Sequence, residues 1–341
     1  MNIQEASQFI KSQNDMTIED MANLMTGIFS GECTEDQIIL FLEELTLKGE
    51  SISELIGAVK AMRNFSVKVK APFSDLIDCC GTGGLGKSMM NVSTTSALVA
   101  AACDVKVAKH GNRSATGTSG SADLLEAAGV NLDLSPEAIS KCIEKIGMGF
   151  MFAQNHHPGM KFVMSARKKI GKKTIFNLLG PLTNPADASK QAIGVFDSKW
   201  VIPIAEVLQK LGTERALIFH SYDGLDEISI ADKTYMAELR NNKISELEID
   251  PKQFDLSYKN LDALKVESPS ESYEKVQETL KGSFDEGEAI VKLNAAAVIY
   301  TSGMKKSIEE GFLLAEEVIK SGRGFQKLKD LISFSNESVK Q

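Results

Sequence analysis

The chain has 341 residues, of which 43% are hydrophobic, 6% aromatic and 25% charged, and its formal charge is −8 at pH 7. That length supports a substantial core in one large or two moderate domains. The acidic balance argues against a nucleic-acid partner, and it requires any anionic substrate to be met by cations placed locally against the overall field.

No apolar run reaches the ~18 residues of a membrane helix; the most apolar stretch, Val92 to Cys103, is short and carries Ser and Thr. Met1 to Asp20 is acidic and lacks the apolar segment of a secretory signal. The expectation is a cytoplasmic protein with no membrane association. Its five cysteines are odd in number and include no C-x-x-C pair, so reduced, mostly buried thiols are expected.

The first sixty-odd residues read as helices only. Ile18, Met21, Leu24, Met25 and Ile28 recur at helical spacing after Thr17, and Gly31 stops the run. Thr34 and Gln37 have the spacing of a capping box, in which each side chain satisfies an exposed backbone donor; the helix they open ends near Gly49. Ser51 to Glu54 starts a third helix, with Leu55, Val59 and Met62 on one face.

At Asp75 the pattern changes to short β-type runs alternating with helical ones. Strands are predicted at Leu76–Asp78, Val105–Ala108, Gly149–Phe152, Ala192–Phe196 and Ala216–Phe219, and less clearly at Glu227–Ile230 and Tyr235–Leu239. Helices are predicted over Ser93–Ala102, Ala122–Ala128, from Ser135-Pro136, and over Ile202–Leu211, Asp285–Thr301 and Ser307–Ile319. Asp250–Ser272 reads as polar loop. This alternation implies a mainly parallel sheet covered by helices. The fold class is α/β: a small all-helical domain over 1–70, joined by helices from about 160–187, and an α/β domain over 71–341.

Four motifs carry the chemistry. Asp78-Cys-Cys-Gly-Thr-Gly-Gly-Leu-Gly86 follows a strand, so its backbone N–H groups can approach a phosphate closely. The helix after it turns its N-terminus, with Ser93 and Thr94, to the same point. The spacing is that of neither a P-loop nor a dinucleotide fingerprint. Lys109-His-Gly-Asn-Arg113 ends the next strand, and Lys109 and Arg113 offer charge for a diphosphate. Two such loops fall on one edge of a parallel sheet, where these folds bind ligands. His220-Ser-Tyr-Asp-Gly-Leu-Asp-Glu227 ends in adjacent carboxylates suited to Mg2+, which takes few protein carboxylates plus phosphate oxygens and water. His156-His-Pro-Gly-Met-Lys161, Arg167, Gly171 and Thr174 to Pro185 form the fourth; Arg167 could grip a planar acid as a fork, whereas paired histidines followed by Pro are a poor zinc site. Taken singly, each has a plain reading as a tight turn, a solvated loop, an acidic turn or structural histidines.

Together, in this order, they resemble the anthranilate phosphoribosyltransferase family over about residues 3 to 320. That family reads GTGGDG…N-x-ST, KHGNR, HHP-x-MK…R…G-x-RT-x-FN-x-LGPL-x-NP and HG-x-DGLDE. The resemblance implies phosphoribosyl pyrophosphate (PRPP) and anthranilate as substrates, Mg2+ as cofactor, and a homodimer joined through the helical domain. It implies that Gly81, Thr82, Gly83, Gly84, Asn91, Ser93, Thr94, Lys109, Thr116 and Ser119 hold PRPP. Gly81, Asn112, His157, Arg167 and Gly180 would line the anthranilate side. Ser93, Asp226 and Glu227 would ligate Mg2+, and Lys109, Asp226 and Glu227 would form the catalytic set. The chain departs from the family at Leu85 (an acid), Met89-Met90 (Thr-Phe), Thr116 and Gly117 (a Ser pair), Ser221 (Gly) and Lys173 (Arg). Two other readings stay open: a pyrimidine nucleoside phosphorylase of similar fold, and a non-catalytic relative that binds nucleic acid.

Overall fold

The computed structural model describes residues 1–83, 88–114 and 117–338. Gly84, Leu85 and Thr116 lie outside the described residues. The chain opens with α1 (Ile3–Lys11), α2 (Ile18–Ser30), α3 (Glu35–Lys48) and α4 (Ile52–Asn64). Asn2 with Glu5, Thr34 with Gln37, and Ser51 with Glu54 form reciprocal caps that satisfy donors the first turns leave open. Met21, Phe29, Phe41, Leu42 and Leu55 share one core with Val163, Ala166, Ile175 and Leu179 from a later segment. Each large apolar side chain so buried contributes about 1.5–3 kcal/mol, which is what ties that segment back to the N-terminal bundle.

The remaining elements follow as β1 (Ile77–Gly81), α5 (Val92–Ala102), β2 (Val107–Gly111), α6 (Ser121–Ala127), α7 (Pro136–Ile146), β3 (Met148–Phe152), α8 (Ala153–His156), α9 (Met164–Ile170), α10 (Ile175–Leu182) and β4 (Lys190–Gly194). Then come α11 (Val201–Lys210), β5 (Arg215–Ser221), β6 (Thr234–Arg240), β7 (Lys243–Ile249), α12 (Pro269–Lys281), α13 (Asp285–Ser302), α14 (Ile308–Lys320) and α15 (Arg323–Glu337). One sheet runs in the order β3-β2-β1-β4-β5-β6-β7. Its first five members are parallel, and β6 and β7 are antiparallel additions. Along β5, Leu217 and Phe219 pack on one face with α5 and α13, while Ala216 and Ile218 pack on the other with α11 and the bundle core. This is the period-2 alternation of a sheet covered on both sides. No helix among the described residues is long and apolar enough to cross a membrane.

Strand order reverses between β1 and β4, the place where open α/β sheets leave a crevice at the carboxyl ends of their strands. Gly81 and Gly194 are register partners at those two ends. A Cβ on Gly194 would lie 1.7 Å from the Asp226 carbonyl oxygen, and one on Gly81 would lie 2.3 Å from Asp226 Oδ2. The two glycines thus let the acidic loop cross directly over the switch point.

The structure corrects some expectations. Glu227–Ile230 is not a strand: the Asn294 side chain accepts from the Ile228 amide at 2.9 Å and donates to its carbonyl at 2.9 Å, leaving nothing for a ladder. Asp250–Ser272 is not wholly loop, because α12 begins at Pro269, behind a Ser268 cap that accepts from Glu271 N. The elements α1, β7 and α15 also lie beyond the sequence prediction.

Candidate active site at the sheet switch point

The floor of the crevice is built by β1, α5, β2 and the acidic loop. Gly83 N donates to Asp226 Oδ2 at 3.0 Å, and Ser93 N, at the start of α5, donates to Glu227 Oε1 at 3.1 Å. A carboxylate at a helix N-terminus is favoured by the helix dipole. Even so, burial holds both carboxyls above their ordinary range, and Glu227 is pushed up to about 8 with Asp226 as the second cause. Neither carboxylate has a cation within salt-bridge distance among the described residues. Two buried acids on one floor, opposed by lysine charges only at a distance, are a donor set that a divalent oxygen-seeking cation fits.

Lys109 is 1% exposed. Its Nζ donates to the Cys79 carbonyl at 2.6 Å and to Ser93 Oγ at 3.3 Å. The same ammonium opposes the burial that raises Asp78 to about 6. Asp78 is anchored by Asn184 Nδ2 at 2.7 Å and by His110 N at 3.1 Å. Asn91 holds the next loop: its Oδ1 accepts from Ser119 Oγ and Ser272 Oγ, each at 2.8 Å. Thr82 Oγ1 accepts from Phe196 N at 2.8 Å, tying the glycine loop to the segment after β4. Thr94 Oγ1 is buried without a partner among the described residues, a polar atom of the kind a ligand oxygen satisfies. Arg113 does not serve the floor. Asp123 at 3.1 Å and Glu126 at 2.7 Å, both on α6, take its guanidinium.

A second wall lies beside it. The Gly180 carbonyl can only accept, so His110 Nδ1, 3.2 Å away, carries the proton. In a neutral ring His110 Nε2 is then an acceptor, and His157 Nε2 at 3.2 Å is its donor. His157 Nδ1 is left buried and without a partner among the described residues. Burial pushes both rings down, His157 to about 4, so this wall is neutral at pH 7. Arg167 lies over the Phe176 ring, 5.5 Å from its centroid, and burial lowers its pKa with no counter-ion among the described residues. Nothing lies within 4 Å of where a Gly180 Cβ would be. Asn112 stands apart, exposed at the end of β2, with Oδ1 turned back to Arg113 N at 2.8 Å.

The histidine pair sets a pH dependence of stability. His157 is neutral in the fold down to about 4, whereas the unfolded chain takes up its proton near 6.5. The unfolded state therefore binds more protons in that window, and stability falls as pH falls from 6.5 to 4. Thermal melts across the window should show this slope, shallower in His157→Gln. An equal slope in a folded His157→Gln would mean other groups carry it.

Comparison with known proteins is consistent over nearly all of the chain. A model of the glycosyl transferase family, helical bundle domain, matches residues 7–66, and one of the glycosyl transferase family, a/b domain, matches residues 74–325. The anthranilate phosphoribosyltransferase of Teredinibacter turnerae is 45% identical over 340 residues, 98% of this chain and 100% of that one. The chain belongs to the anthranilate phosphoribosyltransferase family. The Thermus thermophilus member superimposes with a TM-score of 0.91 at 38% identity, over 97% of this chain and 99% of that one. The Saccharomyces cerevisiae member, solved in complex with PRPP and Mg, superimposes with a TM-score of 0.90 at 25% identity over 98% of each chain. Family members named for this transfer, rather than for nucleoside phosphorolysis, are what the chain is similar to.

Several residues that build the site carry no role in the sequence reading, although Asp78 and Asn184 lie within its motifs. Asn294, Asp78, Asn184 and Ser272 each place a functional group through a hydrogen bond. The signal for Asn294 was present: a lone Asn among Leu293 and Ala295 to Ile299 has to find partners when buried.

Proposed function

We propose that the protein transfers the 5-phosphoribosyl group of PRPP to the amine of anthranilate and releases pyrophosphate, as a step of tryptophan biosynthesis. The observation that carries this reading is the meeting, at one switch point, of a glycine loop, the buried Lys109 and a carboxylate pair with no salt-bridge partner among the described residues, beside a neutral wall whose arginine has no counter-ion among them. Gly81, Thr82, Gly83, Asn91, Ser93, Thr94, Lys109 and Ser119 would hold PRPP. Gly180, His157 and Arg167, with Asn112 at the rim, would hold anthranilate.

Asp226, Glu227 and Ser93 Oγ are the donors that would hold Mg2+, which when bound neutralises charge growing on the pyrophosphate. Lys109 adds a fixed positive charge from below the same floor, in a partly dry site where it acts strongly. Arg167 takes the anthranilate carboxylate. The neutral histidines pack beside the ring without competing for that charge. An aromatic amine is already a nucleophile, so positioning it against C1 of the ribose replaces a strong base.

Phe9, Leu40 and Leu47 face solvent from α1 and α3, with Leu47 80% exposed. These exposed apolar side chains on the bundle support a homodimer joined through the helical domain, checked by sedimentation. The same reading divides the chain near residue 70, with 160–187 grouped with the bundle, and has the protein work in the cytoplasm.

Mixing protein, Mg2+, PRPP and anthranilate and following the loss of anthranilate fluorescence tests the activity. Unchanged fluorescence would overturn it. Arg167→Ala should raise the KM for anthranilate roughly tenfold or more, the worth of a lost charged hydrogen bond, with the KM for PRPP little changed. Equal effects on both would give Arg167 a structural role.

A further inference from the structure

Lys173 lies in the segment between α9 and α10. Its Nζ sits 3.9 Å from the centroid of the Phe196 ring. The Phe196 backbone is tied to the glycine loop, because its amide donates to Thr82 Oγ1 at 2.8 Å. The ammonium is therefore anchored to the base of the loop that approaches the diphosphate.

The anchor holds Lys173 without neutralising it. An aromatic face attracts a cation through its quadrupole and orients it, but supplies no counter-charge. Asp226 and Asp197 act on Lys173 only through their field, and burial, which lowers its pKa, is the larger effect. Other lysines close to carboxylates in this chain pair with them: Lys48 reaches Glu54 at 2.9 Å and Lys68 reaches Asp187 at 2.7 Å. Lys173 is held on a ring, half-buried and with no salt-bridge partner among the described residues, in the field of Asp226, which accepts from the glycine loop.

We propose that Lys173 is a substrate-binding residue that contacts the diphosphate of PRPP from the helical side of the crevice, opposite Lys109. The inference rests on the proposed transfer. It assigns the diphosphate two cations of this chain, Lys109 beneath the floor and Lys173 across the opening. Lysine here keeps the charge of the arginine that the family carries, and gives up its bidentate fork.

Calorimetric titration of PRPP with Mg2+ into wild type, Lys173→Gln and Lys173→Arg tests it, with melting curves and both KM values beside. Lys173→Gln should weaken PRPP binding about tenfold, the loss of one charged hydrogen bond. Its melting temperature and its KM for anthranilate should stay at wild-type values, and Lys173→Arg should bind within about threefold of wild type. Lys173→Met, which keeps the apolar stem over Phe196, should reproduce the glutamine result if that variant folds poorly. Unchanged PRPP affinity in a folded Lys173→Gln or Lys173→Met overturns the contact while leaving the transfer intact. Equal loss for both substrates overturns it as well. A wild-type protein that binds no PRPP removes the transfer and the contact together.

Discussion

Replacing Asp226 and Glu227 together by alanine is expected to lower kcat/KM by about three orders of magnitude, because charge on the departing pyrophosphate goes unneutralised, a loss of several kcal/mol. The fold should survive, and the sign of its stability change is fixed by the raised carboxyl pKa values. A carboxyl whose pKa is higher in the fold than in the unfolded chain stabilises below its unfolded value, and that contribution is lost as pH rises toward the folded value. For Glu227 the window runs from 4.5 to about 8. Above it, wild type without metal carries two buried charges that oppose folding. The double variant carries neither, so its melting temperature at pH 8 should equal or exceed that of wild type. Steady-state kinetics at saturating Mg2+ and melting curves in a chelator measure both effects. Wild-type turnover in the double variant would remove the acid pair from the reaction.

The legible part of this protein was whatever depends on local chemistry. Glycines after a strand, a Thr–Gln capping box and apolar runs alternating in period are written within a few residues, and the β1 loop, α3 and the parallel strands follow from them. What depends on contacts between distant segments was not legible. Gly194 reads as an ordinary strand glycine until the acidic loop is laid over it. Arg113 looks like a phosphate ligand until α6 turns Asp123 and Glu126 toward it. Residues 227–230 carry side chains that suit a strand, yet Asn294 on α13 takes the Ile228 backbone.

Helix α12 escaped for another reason. Its buried positions are Ser272, Val276, Thr279 and Leu280, so half of its inward stripe is hydroxyl and the apolar period is faint. Ser272 faces inward and donates to Asn91, so one place on the stripe serves the site rather than the core. The strands predicted with the closest bounds, β3 and β5, have both faces covered, where burial leaves little room for polar compromise.

Lys109→Met should be nearly as damaging to activity as loss of the acid pair, by a different route. The methionine stem fills the same space, so packing is kept while the ammonium is removed. Three effects then act together. The pyrophosphate loses a fixed cation in a water-poor floor, where removing one such group costs about 10²–10³ in rate. The Cys79 carbonyl loses the donor now 2.6 Å away, and Ser93 Oγ loses its neighbour at 3.3 Å. Asp78 and Glu227 lose the positive charge that opposes their burial, so both carboxyls move further up. At neutral pH Glu227 is then held protonated more of the time and is a poorer oxygen donor for Mg2+. The third effect separates Lys109 from a mere phosphate contact. In Lys109→Met the Mg2+ concentration for half-maximal rate should rise and should fall back as pH is raised, whereas loss of a contact alone would leave that pH trend at its wild-type course. Magnesium titrations of the rate at pH 7 and pH 9, on wild type and variant, read it directly. A folded variant with unaltered Mg2+ dependence would confine Lys109 to the diphosphate, and one with unaltered turnover would take it out of the reaction.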